Sequence, residues 1–97
     1  MNANRERIRD RVIEALHESL GPDDIPDIDE QTDPFRDLGQ DSEDGVDFAC
    51  VLSERFGFEI PPEVNPFVDD VRQRPRCVRE IIDLMCDLTE KREPSHA

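Results

Sequence analysis

The sequence predicts an all-α protein: a small bundle of three main helices and one short helix, with a long loop between the first two main helices. Two observations carry this prediction. Apolar residues recur at helical spacing in three segments, and glycine and proline stand between those segments. A chain of 97 residues has room for one hydrophobic core, so we expect a single domain over residues 1–97, folded from about 4 to 92, with a tail at 93–97.

The first main helix is expected from Asn4 to Leu20. Every fourth residue on one of its faces is apolar, while arginine and glutamate fill the other faces: Ile8, Val12, Leu16 and Leu20. Gly21 and Pro22 predict its end, because glycine accepts a left-handed cap and proline cannot continue the hydrogen-bond ladder. Residues 21–41 have no periodicity, and a loop this long needs anchors in the core. The candidate anchors are Ile25, Ile28, Phe35 and Leu38.

The second main helix is expected to begin at Asp41-Ser42 and to end at Gly57. Asp41 can cap the first backbone amides, and acidic residues in the first turn suit the helix dipole. Gly45 costs ~1 kcal/mol relative to alanine inside a helix. The buried side is expected to consist of Val46, Phe48, Ala49, Cys50, Leu52 and Phe56.

The remainder predicts one short helix and the last main helix. Phe58-Glu59-Ile60 is expected to be an extended connector whose two apolar side chains enter the core. Asn65-Pro66 is typical of a cap followed by a first-turn proline, which predicts a short helix through Phe67, Val68 and Val71 before Pro75. The last helix is expected from about Arg76 to Lys91, with the clearest apolar stripe of the chain: Val78, Ile81, Ile82, Met85 and Leu88.

The charge of the chain is strongly negative. It has 12 lysines and arginines against 25 aspartates and glutamates, a formal net charge of −13 with neutral histidines. Nucleic acids and anionic membrane surfaces attract clusters of lysine and arginine, so neither is an expected partner. A protein with a basic surface is the partner that this charge attracts.

The cysteines and the apolar runs bear on the cellular compartment. Cys50, Cys77 and Cys86 are odd in number and all fall inside helical patterns, which favours free buried thiols in a reducing compartment. No pair has the spacing of zinc ligands, and no apolar run is long enough for a secretory signal or for membrane insertion. We therefore expect a cytoplasmic monomer without a metal site.

One stretch carries a family resemblance. Residues 37–42 read Asp-Leu-Gly-Gln-Asp-Ser at the start of the predicted second helix, and Asp44, Val46 and Asp47 continue the pattern. Residues 56–61 then read Phe-Gly-Phe-Glu-Ile-Pro. Together these resemble the signature of acyl carrier proteins, which have a D-L-G-x-D-S-L-D element at the start of the second helix and an F-x-x-x-I-P-like turn later. The likeness extends from about Ile8 to Leu88 and implies an acyl-carrier-like helical bundle.

The resemblance implies a modification site and its partners. Ser42 would be esterified by 4′-phosphopantetheine, whose terminal thiol holds an acyl group as a thioester in fatty acid, polyketide or other specialised biosynthesis. A phosphopantetheinyl transferase would attach the arm, and acyl-transferring or synthase enzymes with basic surfaces would bind the second helix. The implied partner-binding residues are Asp41, Glu43, Asp44, Asp47 and Glu54. The chain needs no catalytic residue, because the transferase supplies the chemistry.

Glu43 leaves a second hypothesis open. The family usually has an apolar residue directly after the serine, and a carboxylate there places negative charge beside an incoming phosphate. The alternative is an unmodified carrier-like binding or regulatory module that acts through its acidic second helix. A serine hydrolase is a weak third hypothesis, because it needs a base held against the serine and neither His17 nor His96 has an evident partner in the sequence.

Overall fold

The computed structural model describes residues 3–20 and 27–92, which fold as a helical bundle. Its elements are α1 (Ala3–Leu20), α2 (Pro34–Asp37), α3 (Ser42–Phe56), β1 (Val68–Asp69), β2 (Arg74–Pro75) and α4 (Val78–Arg92). The all-α class and the three main helices are confirmed. The expected stop at Gly21-Pro22, the anchor Ile25 and the tail at 93–97 lie outside the described residues.

The core lies between the three main helices, because α1 packs against both α3 and α4. Its buried side chains come from the apolar stripes of these helices and from two connecting segments: Ile8, Val12, Ala15, Leu16, Phe48, Leu52, Ile60, Phe67, Val78, Ile81, Ile82 and Met85. At its centre the rings of Phe48 and Phe67 are stacked with centroids 5.1 Å apart. Ile60 enters the core as expected, whereas Phe58 is only half-buried and packs against Phe56.

The long loop contains α2, a short helix that the periodicity does not predict. Asp33 caps it by accepting hydrogen bonds from the amides of Phe35 at 2.9 Å and Arg36 at 3.3 Å. Pro34 follows the cap, where a missing N–H costs nothing. The helix lies in the described part of the loop and turns Phe35 and Leu38 toward the core; together with Ile28 they pack against it, as expected of anchors.

The predicted short helix after Asn65-Pro66 is wrong. The segment forms an antiparallel hairpin instead, in which Val68 pairs with Pro75 and Asp69 with Arg74. Tertiary hydrogen bonds favour the hairpin, because Arg76 Nη1 donates to the carbonyls of Asn65 at 2.8 Å and Val68 at 2.9 Å, leaving them less free to accept helical bonds. Val71, expected on the apolar face of that helix, is 93% exposed at the tip of the hairpin.

The last helix begins at Val78, two residues later than expected, because the long loop caps it. The Val78 amide donates to the Thr32 carbonyl and the Arg79 amide to the Glu30 carbonyl, both at 2.8 Å. The first amides of a helix have no partner inside the helix, so these bonds satisfy them. They also hold the loop, at Glu30 and Thr32, against the start of the last helix. Among the described helices, none is both long enough and apolar enough to span a membrane.

Candidate functional site

Ser42 is the first residue of α3, and it is exposed to solvent. Its backbone is held from the other side: Asn65 Nδ2 donates to the Ser42 carbonyl oxygen at 3.0 Å. Ser42 is therefore an exposed residue on a helical turn whose backbone is held in place. This is the geometry that an enzyme acting on the serine requires.

A reciprocal pair of hydrogen bonds defines the start of α3. Asp41 Oδ1 accepts from the Asp44 amide and Asp44 Oδ2 accepts from the Asp41 amide, both at 3.0 Å. This is a capping box, and loss of a capping side chain costs about 1 kcal/mol. The expected cap at Asp41 is confirmed. The amides of Ser42 and Glu43 precede the first helical hydrogen bond and remain available to an anion, which the positive end of the helix dipole favours.

The five candidate partner-binding residues fall into two groups. Asp41 and Asp44 are engaged in the capping box. Glu43, Asp47 and Glu54 are exposed and lie four and seven residues apart, so they follow one line along α3. We call these three residues the acidic stripe. The structure thus places three exposed carboxylates along one side of α3. Asp41 and Asp44 have a structural role in the capping box at its start.

Beside the acidic stripe lies a groove of about 390 Å³ between α3 and residues 59–65, which we call the α3 groove. It begins at Val46, one helical turn after Ser42, and is lined mainly by carbon atoms of Val46, Ala49, Ile60, Pro61, Pro62 and Val64. Ser53 fixes its floor, because the Ser53 hydroxyl donates to the Ala49 carbonyl at 2.9 Å and accepts from the Ile60 amide at 3.1 Å.

Two residues expected on the buried side of α3 are not buried. Val46 is 59% exposed and Cys50 is exposed. The buried line of the helix runs through Gly45, Phe48 and Leu52. At 3.6 residues per turn, Cys50 lies almost opposite Phe48. The covered face packs on α1 and on the ring of Phe67 and takes up only part of the circumference, so Val46 and Cys50 border the α3 groove instead.

The sequence interpretation missed the roles of Asn65 and Gly45. The sequence predicts only a helix cap at Asn65 and only an energetic cost at Gly45. In the structure Gly45 is buried, and a Cβ placed on it would lie 2.9 Å from Asn65 Cγ and closer still to Oδ1. A glycine in the second turn of a good helix was the available signal, but the residue that needs the space could not be read from the sequence.

Other reactive groups do not converge on Ser42. Cys77 and Cys86 are half-buried free thiols, and burial raises the pKa of Cys86, which keeps it protonated at neutral pH. His17 is half-buried on α1, and His96 lies outside the described residues. Within the described ranges, no group of three or more histidine, cysteine, aspartate or glutamate residues is placed to hold a metal ion.

Comparison with known proteins identifies the family. The family model described as "Phosphopantetheine attachment site" matches residues 6–64, more than half of the chain, and the matched range includes Ser42, α3 and most of the α3 groove. An acyl carrier protein of Campylobacter hominis is 45% identical over 56 residues, covering 58% of this chain and 65% of the relative. The chain thus spans just under two thirds of that curated relative. No solved structure matches the chain significantly. The chain belongs to the family of phosphopantetheine attachment domains, whose prosthetic group is covalently bound 4′-phosphopantetheine.

Proposed function

We propose that this chain is an acyl carrier protein whose 4′-phosphopantetheine arm is attached to Ser42. The observation that carries the proposal is the exposed position of Ser42 at the first residue of α3, inside the range that matches the family model. When attached, the arm supplies a terminal thiol that carries an acyl or related group as a thioester. The pathway served is fatty acid, polyketide or another specialised biosynthesis.

The residues around Ser42 suit such an arm. The unbonded amides of Ser42 and Glu43 and the helix dipole favour the phosphate, typically by ~0.3–1 kcal/mol at an exposed site. The α3 groove offers an apolar surface one turn further along, at Val46. The carboxylates of Asp41 and Asp44 each accept a hydrogen bond from the other residue's backbone amide. The capping box therefore fixes the orientation of both carboxylates beside the phosphate.

Partner enzymes are expected to bind through the acidic stripe. Glu43, Asp47 and Glu54 are exposed on a chain with a net charge of −13, and a complementary basic surface would meet them with a high, salt-dependent association rate. The proposed partners are a phosphopantetheinyl transferase and basic-surfaced acyl-transferring or synthase enzymes. We further propose that the chain acts as a cytoplasmic monomer without catalytic activity of its own.

Glu43 supports a second candidate function. It is exposed next to Ser42, where its carboxylate repels an incoming phosphate, and this favours an unmodified binding or regulatory module. Such a module would use the same acidic stripe without any arm. The two functions therefore differ in the chemistry at Ser42 and not in the surface that partners meet.

Intact mass spectrometry separates the two functions. The purified chain is incubated with coenzyme A and a broad-specificity phosphopantetheinyl transferase. Gain of one phosphopantetheinyl group by wild type, with no gain by Ser42→Ala, is the result expected of a carrier. No gain by wild type, while a known acyl carrier protein in the same mixture is fully converted, would favour the binding module.

Glu43→Leu provides the matched control. It restores the apolar residue usual in the family and leaves Ser42 untouched. If Glu43 only slows the transfer, Glu43→Leu gains the arm faster than wild type does. If wild type and Glu43→Leu both stay unmodified, the geometry at Ser42 and not the charge beside it prevents attachment, and the carrier proposal fails.

A further inference from the structure

Asn65 connects the start of α3, which lies inside the range of the family match, to the segment before the hairpin, which lies outside it. The matched range ends at residue 64, and Asn65 is the next residue. Its side chain makes two hydrogen bonds: Nδ2 donates to the Ser42 carbonyl at 3.0 Å, and Oδ1 accepts from the Phe67 amide at 2.9 Å. One side chain therefore links the first turn of α3 to the segment that leads into the hairpin.

Gly45 makes this link possible. The three heavy atoms nearest to a Cβ at position 45 all belong to the Asn65 side chain, with Cγ at 2.9 Å and Nδ2 at 3.1 Å. Gly45 has no positive φ that would require glycine. The lack of a side chain at position 45 is thus explained by the close approach of Asn65, one turn below the Ser42 hydroxyl.

The backbone of Asn65 is fixed as well. Its carbonyl accepts from Arg76 Nη1 at 2.8 Å and from the Val68 amide at 3.1 Å. Phe67, two residues later, is buried in the core and stacked on Phe48 of α3. Asn65 is therefore held in place by the core and by Arg76. Its hydrogen bond to the Ser42 carbonyl in turn restrains the backbone of Ser42.

We propose that Asn65 is a positioning residue for Ser42: through its hydrogen bond to the Ser42 carbonyl, and with the space left by Gly45, it holds the serine in the orientation in which a partner enzyme acts on the hydroxyl. In a regular helix the Ser42 carbonyl also accepts from the Val46 amide. A second donor on the same oxygen restrains the peptide that carries the serine. As regards arm attachment, this inference rests on the proposed function.

Two variants separate this hydrogen bond from the rest of the link. Asn65→Ser and Asn65→Asp both keep an oxygen that can accept from the Phe67 amide. The carboxylate of Asn65→Asp has no proton to donate, and the hydroxyl of Asn65→Ser ends one bond short of the Nδ2 position, so neither reproduces the bond to the Ser42 carbonyl. Asn65→Ser loses this bond without adding charge. Comparing the two shows whether any effect comes from the lost donor or from a new carboxylate.

Hydrogen exchange tests the restraint directly. In Asn65→Ser we expect the amides of Gly45 and Val46 to exchange about fivefold faster than in wild type, the effect of losing one hydrogen bond, while Ile82 in α4 changes less. The inference would be overturned if Gly45 and Val46 exchanged no faster in Asn65→Ser than in wild type, after correction for the change at Ile82. This readout does not depend on whether any arm is attached.

Transfer kinetics test the consequence for modification. With the broad-specificity transferase we expect both variants to show a kcat lower by about fivefold and a KM close to that of wild type, because the acidic stripe that meets the enzyme is unchanged. A kcat equal to that of wild type would overturn the inference. If wild type itself accepts no arm, the proposed attachment fails, and the exchange rates alone decide whether Asn65 holds Ser42.

Discussion

Gly45→Ala should destabilise this protein, although the same change normally stabilises a helix. Alanine in place of glycine inside a helix contributes about 1 kcal/mol. Here the new Cβ would displace the Asn65 side chain, which gives up its hydrogen bonds to the Ser42 carbonyl and the Phe67 amide. Each bond is worth about 0.5–1.5 kcal/mol, so their loss costs about 1–3 kcal/mol and the net effect is a destabilisation of about 1 kcal/mol.

In the Asn65→Ala background the sign should reverse. The three atoms that crowd position 45 are gone, so Gly45→Ala recovers its usual stabilisation of about 1 kcal/mol. The double-mutant cycle is therefore expected to give a coupling energy of about 2 kcal/mol. Urea denaturation followed by far-ultraviolet circular dichroism measures it, and the melting temperature should move by roughly 4–8 °C per kcal/mol in a chain of this size.

Gly57 is the matched control at the other end of α3. It has a φ of 77°, and a Cβ there would meet nothing within 4 Å. Gly57→Ala should cost about 1 kcal/mol through backbone strain in both backgrounds, with no coupling to Asn65. If Gly45→Ala stabilises wild type as much as it stabilises Asn65→Ala, the close approach of Asn65 is not what excludes a side chain from position 45, and the reasoning is refuted.

The remaining predictions concern the core, the hairpin and the charge. Phe67→Ala should lower the free energy of unfolding by about 3–5 kcal/mol in urea titrations, because the ring is fully buried; a loss below 1 kcal/mol would contradict its central place. Val71→Ser should change that free energy by less than about 0.5 kcal/mol, since the side chain is 93% exposed. Burial acts to raise the pKa of Glu80, but hydrogen bonds from Arg74 and the Cys77 amide leave it below its ordinary value. Glu80 therefore stabilises the fold above that ordinary pKa and loses this contribution as the pH falls through its lowered value. Glu80→Gln should accordingly have a lower melting temperature than wild type at pH 7, and the difference should shrink once the pH is below the lowered pKa; a constant difference would argue against it. Because the chain carries a net charge of −13, raising NaCl from about 0.01 to 0.15 M should increase the melting temperature of wild type, and no response would count against self-repulsion.

Most of the helical architecture could be predicted because it depends on near neighbours in the sequence. The stripes that contain Val12 and Ile81 have a helical period, and packing only had to bring them together. The start of α3 was equally accessible, since the Asp41 cap acts within three residues. Ser42 could therefore be placed on an exposed first turn before any tertiary contact was known.

The hairpin and the exposed side of α3 could not be predicted in this way. Asn65-Pro66 has the local features of a helix start. Residues about eleven positions away favour the hairpin instead, because Arg76 binds the Asn65 and Val68 carbonyls and residues 74–75 pair with residues 68–69. Cys50 is apolar enough for the core, but which face of α3 is covered depends on where α1 and the Phe67 segment pack.

Propensity, periodicity and capping act over a few residues, so the three main helices, the negative charge and the place of Ser42 at a helix start could be derived from local sequence. What holds Ser42 in place depends on tertiary contacts. The hydrogen bond from Asn65 to Ser42 joins residues that are 23 positions apart. Glycine is needed at position 45 because the Asn65 side chain lies there, and Asn65 is held by the packing of Phe67 and by the hydrogen bond from Arg76. Such contacts depend on where distant segments meet, which no local pattern contains.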